Sequence, residues 1–310
     1  MAVFYSPFAR TAADNQEVKL IEVPVPEIGD DEVLIKVGTF GIGIHDRYFI
    51  PEGVNFPYTI GSEGAGVISK LGDKVEGFSK GDQVIYTTAL QPQGGTWAEF
   101  AVAKAGTLIK KPSELSVEQG AAIPIAGKTA LESMRELALQ EGDFLFIAGA
   151  SGAIGTCLIQ LAKAKGVQIV ASASAKNHEY MKSLGADKTV DYNDDNWINE
   201  VNNWSNNGVT AALAIQPNTG NDSIKVVKKN GLLITVSGDS THVKPERGIT
   251  VRQMAHQFFT TKELSELVED IAKGKIRVII EKEYPFEEAL TALEKTETRH
   301  ARGKLVVKID

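Results

Sequence analysis

The stretch from Phe144 to Ser174, FLFIAGASGAIGTCLIQLAKAKGVQIVASAS, constrains the fold more than any other part of the chain. An apolar run, Phe144 to Ile147, ends in Gly149-Ala150-Ser151-Gly152-Ala153-Ile154-Gly155. Ile154, Leu158, Leu161 and Ala162 then recur at helical spacing, and Val167 to Val170 reads as a second strand. Strand, glycine turn, helix and strand make the first half of a dinucleotide-binding unit. The glycines permit a tight turn, bring backbone N–H groups close to a pyrophosphate, and let the helix pack near the sheet. The helix N-terminus adds partial positive charge at the same place.

The residues after the second strand bear on which nucleotide binds. An NAD site places an acid there, about 20 residues beyond the first glycine, to hold the ribose 2′-hydroxyl. Here the strand runs into Ala171-Ser172-Ala173-Ser174-Ala175-Lys176-Asn177, with no acid before Glu179. Hydroxyls and a cation suit a 2′-phosphate, so the pattern favours NADPH over NADH. The alternative is that Lys176 begins the next helix on a solvated face.

Hydrophobic residues make up 43% and charged residues 24% of the 310, the mix of a globular protein. A net charge of −7 supplies no basic face for nucleic acid. No apolar run approaches the ~20 residues that span a bilayer, and Met1 to Arg10 does not read as a secretory signal. The lone cysteine, Cys157, falls inside the glycine-turn helix and reads as a small core residue, which fits a reducing cytoplasm. No membrane and no nucleic-acid partner is expected.

Period-two runs precede this unit: Val18–Val23, Glu32–Val37, Gly64–Leu71, Gln83–Thr87 and Trp97–Ala103, with turns at Gly72-Asp73, Gly77 and Gly81-Asp82. Beyond Ser116 the period becomes helical. Strands at Phe144–Ile147, Val167–Val170, Lys188–Val190, Thr210–Ile215 and Leu232–Val236 alternate with helices starting near Gly152, Asn177, Asp194 and Asn221. Such alternation implies a parallel sheet with right-handed crossovers. An amphipathic helix (Lys262–Lys273, with Leu264, Leu267, Val268 and Ile271 inward), a strand (Ile276–Ile280), a short helix (Phe286–Lys295) and a last strand (Lys304–Ile309) complete the chain. The expected fold class is α/β, with a β-rich domain (1–121 and 259–310) interrupted by the nucleotide-binding domain (122–258).

The order of these segments resembles the medium-chain dehydrogenase/reductase superfamily, in its zinc-independent quinone oxidoreductase and alkenal/enone reductase branch. Gly61-Ser62-Glu63-Gly64-Ala65-Gly66, Gly94 to Phe100, Ala121 to Pro124, Gly127 to Ala130, the glycine turn, Ser183 to Asp187 and Gly303 to Val306 carry the resemblance. It implies a GroES-like β-rich catalytic domain joined to a Rossmann doubly wound parallel sheet. Zinc-dependent members hold catalytic zinc through a Cys where this chain has Gly43, and a His where it has Ser62. The third ligand would fall in Ala121–Thr129, which contains neither Cys nor His, and the four-cysteine structural lobe is missing. His45, Asp46 and Glu63 make an unconvincing replacement set, so no metal is expected.

The resemblance also assigns roles. Tyr48 is the first candidate to donate to a developing oxyanion, against a reading as a packed aromatic; Tyr58 is the second. Thr129 corresponds to a residue beside the nicotinamide ribose, and Ser151, Gly152, Ala153 and Ile154 to the diphosphate turn. Ser172, Lys176 and Tyr192 correspond to the surroundings of the 2′-phosphate. Gly238 corresponds to a nicotinamide-side contact, and Lys304 to a phosphate-side contact or else an exposed strand charge. The loop Glu246–Phe259, with Met254, Phe258 and Phe259, is expected to line a substrate cleft or a dimer seam. Family analogy implies a homodimer through Ile249–Met254.

Without zinc, hydride delivery remains feasible where the acceptor stabilises its own anion, as quinones and conjugated enones or enals do. The leading expectation is thus a zinc-free NADPH-dependent oxidoreductase acting on a small-molecule quinone or enone. The alternative is a catalytically weak NADPH-binding or sensing protein, favoured by Gly43 standing where the branch usually has Asn.

Overall fold

The computed structural model describes residues 2–5, 18–48, 50–51, 54, 57–88, 91–238, 240–255 and 261–309. Two short strands, β1 (Ala2–Tyr5) and β2 (Lys19–Glu22), pair antiparallel. The chain continues through β3 (Glu32–Gly41), β4 (Glu63–Leu71), β5 (Gln83–Thr87), β6 (Phe100–Lys104) and β7 (Ile109–Lys110). Helix α1 (Val117–Ala122) starts at a capping box, in which Ser116 Oγ accepts from Gln119 N–H and Gln119 Oε1 accepts from Ser116 N–H. Pro124 opens α2 (Pro124–Leu137), where its missing N–H costs nothing.

The middle of the chain alternates β8 (Phe144–Ala148), α3 (Ala153–Ala164), β9 (Gln168–Ser172), α4 (His178–Ser183), β10 (Lys188–Val190), α5 (Trp197–Trp204), β11 (Val209–Ala214), α6 (Gly220–Ser223), β12 (Val227–Thr235) and β13 (Thr250–Gln253). The tail adds α7 (Thr261–Ala272), β14 (Ile280–Pro285), α8 (Ala289–Glu297) and β15 (Lys304–Lys308).

The chain divides into two compact units, Met1–Ile125 with Phe259–Asp310, and Ala126–Phe258. The first holds a mainly antiparallel sheet ordered β14-β15-β3-β4-β5-β7, with β6 also on β3. Its core gathers Ile35, Phe40, Ile60, Tyr86, Trp97 and Val307, with the Phe40 and Trp97 rings 5.2 Å apart. The C-terminal strand β15 therefore sits inside this sheet, antiparallel to β3.

The second unit is a six-stranded, wholly parallel sheet ordered β10-β9-β8-β11-β12-β13. Its strands run three-two-one-four-five-six by position in the chain, so the order reverses between β8 and β11. Ligands bind beyond the carboxyl ends of strands at such a switch point. The α/β expectation holds, and the strands expected from Phe144 to Val236 are each present within a few residues. One segment differs from expectation: the C-terminal strand expected at Ile276–Ile280 lies instead at Ile280–Pro285. Thr250–Gln253 forms the parallel edge strand β13, inside the strand-like segment Ile249–Met254.

Candidate active site

In the parallel unit, β8 delivers the chain to a turn at Gly149, whose φ of +89° is left-handed and favours glycine. Gly149 and Ala150 both donate their N–H to the Ser172 carbonyl, tying the turn to the end of β9. Gly152 is the N-cap of α3, and no side chain caps that helix. The first-turn N–H groups of Ala153 and Ile154 are thus available to an anion. A Cβ on Gly155 would stand 2.5 Å from the Ala150 carbonyl oxygen, so this position allows the close approach of helix to turn. The cradle fits a diphosphate.

Beyond β9, the Ala175 N–H donates to Asp191 Oδ2 at 3.0 Å. Asp191 Oδ1 accepts from both the backbone and the side chain of Asn193. These bonds, the Asn193 backbone first, hold the Asp191 carboxyl below its ordinary range. They also join the loop carrying Lys176 to the loop carrying Tyr192, both exposed. Ser172 is buried, whereas Ser174 is half-buried. Asn177 Nδ2 reaches Ser151 Oγ at 3.2 Å, linking this region to the glycine turn. Thr129 is buried on α2, where its carbonyl accepts from Ser133 Oγ at 2.7 Å. Gly238 lies exposed after β12 with φ of +81°. Met254 is buried with its sulfur 3.4 Å from Ser133 Oγ, so it is a packing residue of this unit. Phe258 and Phe259 lie outside the described residues. Cys157 is half-buried, and desolvation pushes its thiol up to about 12.

In the other unit, the turn after β3 carries Gly43 to Tyr48. Asp46 is fully buried beneath it and accepts three hydrogen bonds: Gly43 N–H at 2.8 Å, Ser62 Oγ at 2.9 Å and Trp97 Nε1 at 3.3 Å. Burial raises its carboxyl to about 6 from 3.8, opposed by the Gly43 bond, the Lys304 charge and the Ser62 bond. Glu63 begins β4 with no exposure; it pairs with the Lys304 ammonium and accepts from Ile125 N–H at 2.7 Å. Arg47 Nε bonds Glu297 of α8 at 2.8 Å. The turn is thus pinned on two sides, and Tyr48 on it is 59% exposed, not packed.

Two site expectations are corrected. Lys304 is 6% exposed and engaged by Glu63, so it is neither a surface strand charge nor free to meet a phosphate. Tyr58 is 4% exposed, its hydroxyl donates to the Gln91 carbonyl at 2.8 Å, and burial pushes its pKa up to about 12. Its proton is committed to the Gln91 carbonyl. Asp46, Asn177 and Asp191 emerge as organisers. Besides local partners, each has at least one that is distant in sequence: Ser62 and Trp97 for Asp46, Ser151 for Asn177 and the Ala175 N–H for Asp191, 16 to 51 residues away, a separation no local pattern records. Among the described residues, no three His, Cys, Asp or Glu side chains cluster as metal ligands.

Residues 29–113 match the alcohol dehydrogenase GroES-like domain, and residues 184–307 match the zinc-binding dehydrogenase family. The mouse (Mus musculus) NAD(P)H oxidoreductase RTN4IP1, mitochondrial, is 31% identical over 83% of this chain and 72% of its own. The chain belongs to the quinone oxidoreductase and alkenal reductase branch of the medium-chain dehydrogenase/reductase superfamily. It is an oxidoreductase of the nicotinamide-dependent fold, with a GroES-like unit and a Rossmann-like unit. The NADPH-dependent alkenal/one oxidoreductase, chloroplastic, of Arabidopsis thaliana is 28% identical over 92% of this chain and 74% of its own. The quinone oxidoreductase structure from Coxiella burnetii superposes with a TM-score of 0.88 at 28% identity, covering 100% of this chain and 99% of that one. The substrates of this oxidoreductase are small molecules. No helix among its described residues is long and apolar enough to cross a membrane.

Proposed function

We propose that this oxidoreductase uses NADPH, without zinc, to reduce quinones or α,β-unsaturated carbonyls. The observation that carries the metal-free reading is the commitment of both buried carboxylates. Asp46 already serves three donors and Glu63 serves Lys304 and Ile125, while Gly43 and Ser62 occupy ligand positions of zinc-dependent relatives. Neither acid is left to complete a tetrahedral set.

When bound, NADPH supplies the hydride. The glycine turn with Ser151, Gly152, Ala153 and Ile154 holds the diphosphate, and Lys176 and Tyr192 meet the 2′-phosphate as cation and hydroxyl donor. Thr129 and Gly238 flank the nicotinamide end. A conjugated acceptor spreads the charge it receives, so the protein needs only to orient it and offer one donor. Tyr48 is that donor, an exposed phenol on a turn fixed by Asp46 and Arg47.

Loss of nicotinamide absorbance with a panel of enones and quinones, with and without a chelator, tests this reading. Turnover that survives chelation supports it. NADPH binding without turnover of any acceptor sinks it, in favour of a sensing protein, the reading that Gly43 favours. The protein is further proposed to reside in the cytoplasm, consistent with its single cysteine. It is also proposed to be a homodimer whose copies meet along the edge strand β13. Sedimentation of wild type and Val251→Asp checks this: a dimer that the charge at that edge reduces to monomer is expected, and a wild-type monomer overturns it.

A further inference from the structure

Asn177 closes the short 3-10 turn Ala175–Asn177 after β9. It is 7% exposed, while Ala175 and Lys176 before it stand in solvent. Its Nδ2 donates to Ser151 Oγ at 3.2 Å and to Ser174 Oγ at 3.4 Å. Its own N–H donates to the Ser174 carbonyl at 2.9 Å, so the residue is held through both backbone and side chain. One buried carboxamide therefore spans the glycine turn and the loop of Lys176.

A serine hydroxyl has one hydrogen and two acceptor lone pairs. A serine that accepts from Asn177 keeps its own hydrogen for a further acceptor. The geometry points to Asn177 as a positioning residue that fixes Ser151 and Ser174 as donors, Ser151 towards the diphosphate and Ser174 towards the 2′-phosphate. The inference rests on the NADPH reading of this site. It also moves the hydroxyl at the 2′-phosphate from the buried Ser172 to the half-buried Ser174. An aspartate at 177 would invert the arrangement: its oxygens would accept from both hydroxyls and add a negative charge beside an anionic ligand.

The test is a fluorescence titration with NADPH and with NADH of wild type, Asn177→Asp, Ser174→Ala and Ser151→Ala. Losing one charge-assisted bond costs about tenfold, and inverting two costs roughly 100-fold. Asn177→Asp is therefore expected to weaken NADPH roughly 100-fold and NADH about tenfold, raising KM for NADPH with kcat unchanged. Ser174→Ala should weaken NADPH alone, by about tenfold, and Ser151→Ala should weaken both cofactors equally. Asn177→Asp protein that melts like wild type and loses no more affinity for NADPH than for NADH overturns the inference. If Asn177→Asp does not fold, equal effects of Ser174→Ala on the two cofactors overturn it. A wild type that does not prefer NADPH overturns the cofactor reading and the Ser174 assignment with it. The Ser151 assignment then stands only if Asn177→Asp and Ser151→Ala both weaken NADH.

Discussion

At the scale of single residues, Asp46 and the two tyrosines make separable predictions. Asp46 is enclosed, and its folded pKa of about 6 lies above the ordinary 3.8 because burial penalises the charged form. A carboxyl shifted upward stabilises the fold only while protonated, so its contribution is greatest in acid and fades as pH rises from about 4 to about 6. Two units correspond to roughly 3 kcal/mol. Urea unfolding of wild type and Asp46→Asn across that window is expected to show the wild-type curve falling relative to the variant. Parallel curves would show that Asp46 does not titrate there. The groups facing it are the Glu63 carboxylate, which opposes ionisation, and the Lys304 ammonium, which favours it. Tyr48→Phe should cost about 10- to 100-fold in kcat with an unchanged melting temperature, the usual worth of a donor to a developing oxyanion. Tyr58→Phe should do the reverse, costing about 1 kcal/mol of stability through the lost Gln91 bond while sparing kcat. If Tyr58→Phe reduces turnover and Tyr48→Phe does not, the two roles have been exchanged.

At the scale of elements, the glycine turn separates packing from binding. A Cβ at Gly155 meets backbone atoms of Ala150 at 2.5 to 2.7 Å, and backbone cannot rotate away as a side chain can. Gly155→Ala is expected to push α3 off β8 and cost about 1–3 kcal/mol, as overpacking does. At Gly152 the nearest atom to a Cβ is 3.7 Å away and φ is −80°, so Gly152→Ala should fold normally and weaken only cofactor binding. Calorimetry with and without NADPH distinguishes them; two equally destabilised variants would refute the distinction. This turn is legible in the sequence because strand, glycine spacing and helix all lie within one local stretch. Strand β14 is not, because Ile276 to Ile280 offers the apolar run whereas the real strand reads Ile280 to Pro285 with Glu281, Lys282 and Glu283 exposed. It is an edge strand, and charges on such an edge discourage pairing with other chains while hiding the strand from a hydrophobicity pattern. The burial of Lys304 is hidden for a related reason. A lysine opening a strand looks solvated unless its partner is known, and Glu63 lies far away in sequence at the start of β4.

At the scale of the whole molecule, the β-rich unit is assembled from both ends of the chain, with the parallel unit inserted between them. Its C-terminal strand is not an appendage. β15 lies between β14 and β3, buries Leu305, Val306 and Val307, and accepts the Ile42 N–H at the Leu305 carbonyl. Three buried aliphatic side chains contribute on the order of 6 kcal/mol, comparable to the 5–15 kcal/mol that stabilises a typical domain. Removing the chain from Gly303 onward should therefore unfold the β-rich unit, whereas the parallel unit has a core of its own around Phe146, Val170 and Leu233. Limited proteolysis of the truncated protein is expected to leave a resistant fragment covering roughly 126–255 and to digest the rest. Lys304→Met keeps the strand and removes only the charge. It leaves Glu63 buried with the Ile125 N–H as its remaining donor in this set, a loss worth about 3–5 kcal/mol. Thermal unfolding should thus rank wild type above Lys304→Met, and Lys304→Met above the truncation. A truncated protein as protease-resistant as wild type would mean that the first unit closes its sheet without β15, against the register that pairs Val306 with Gly41 and Val307 with Phe40.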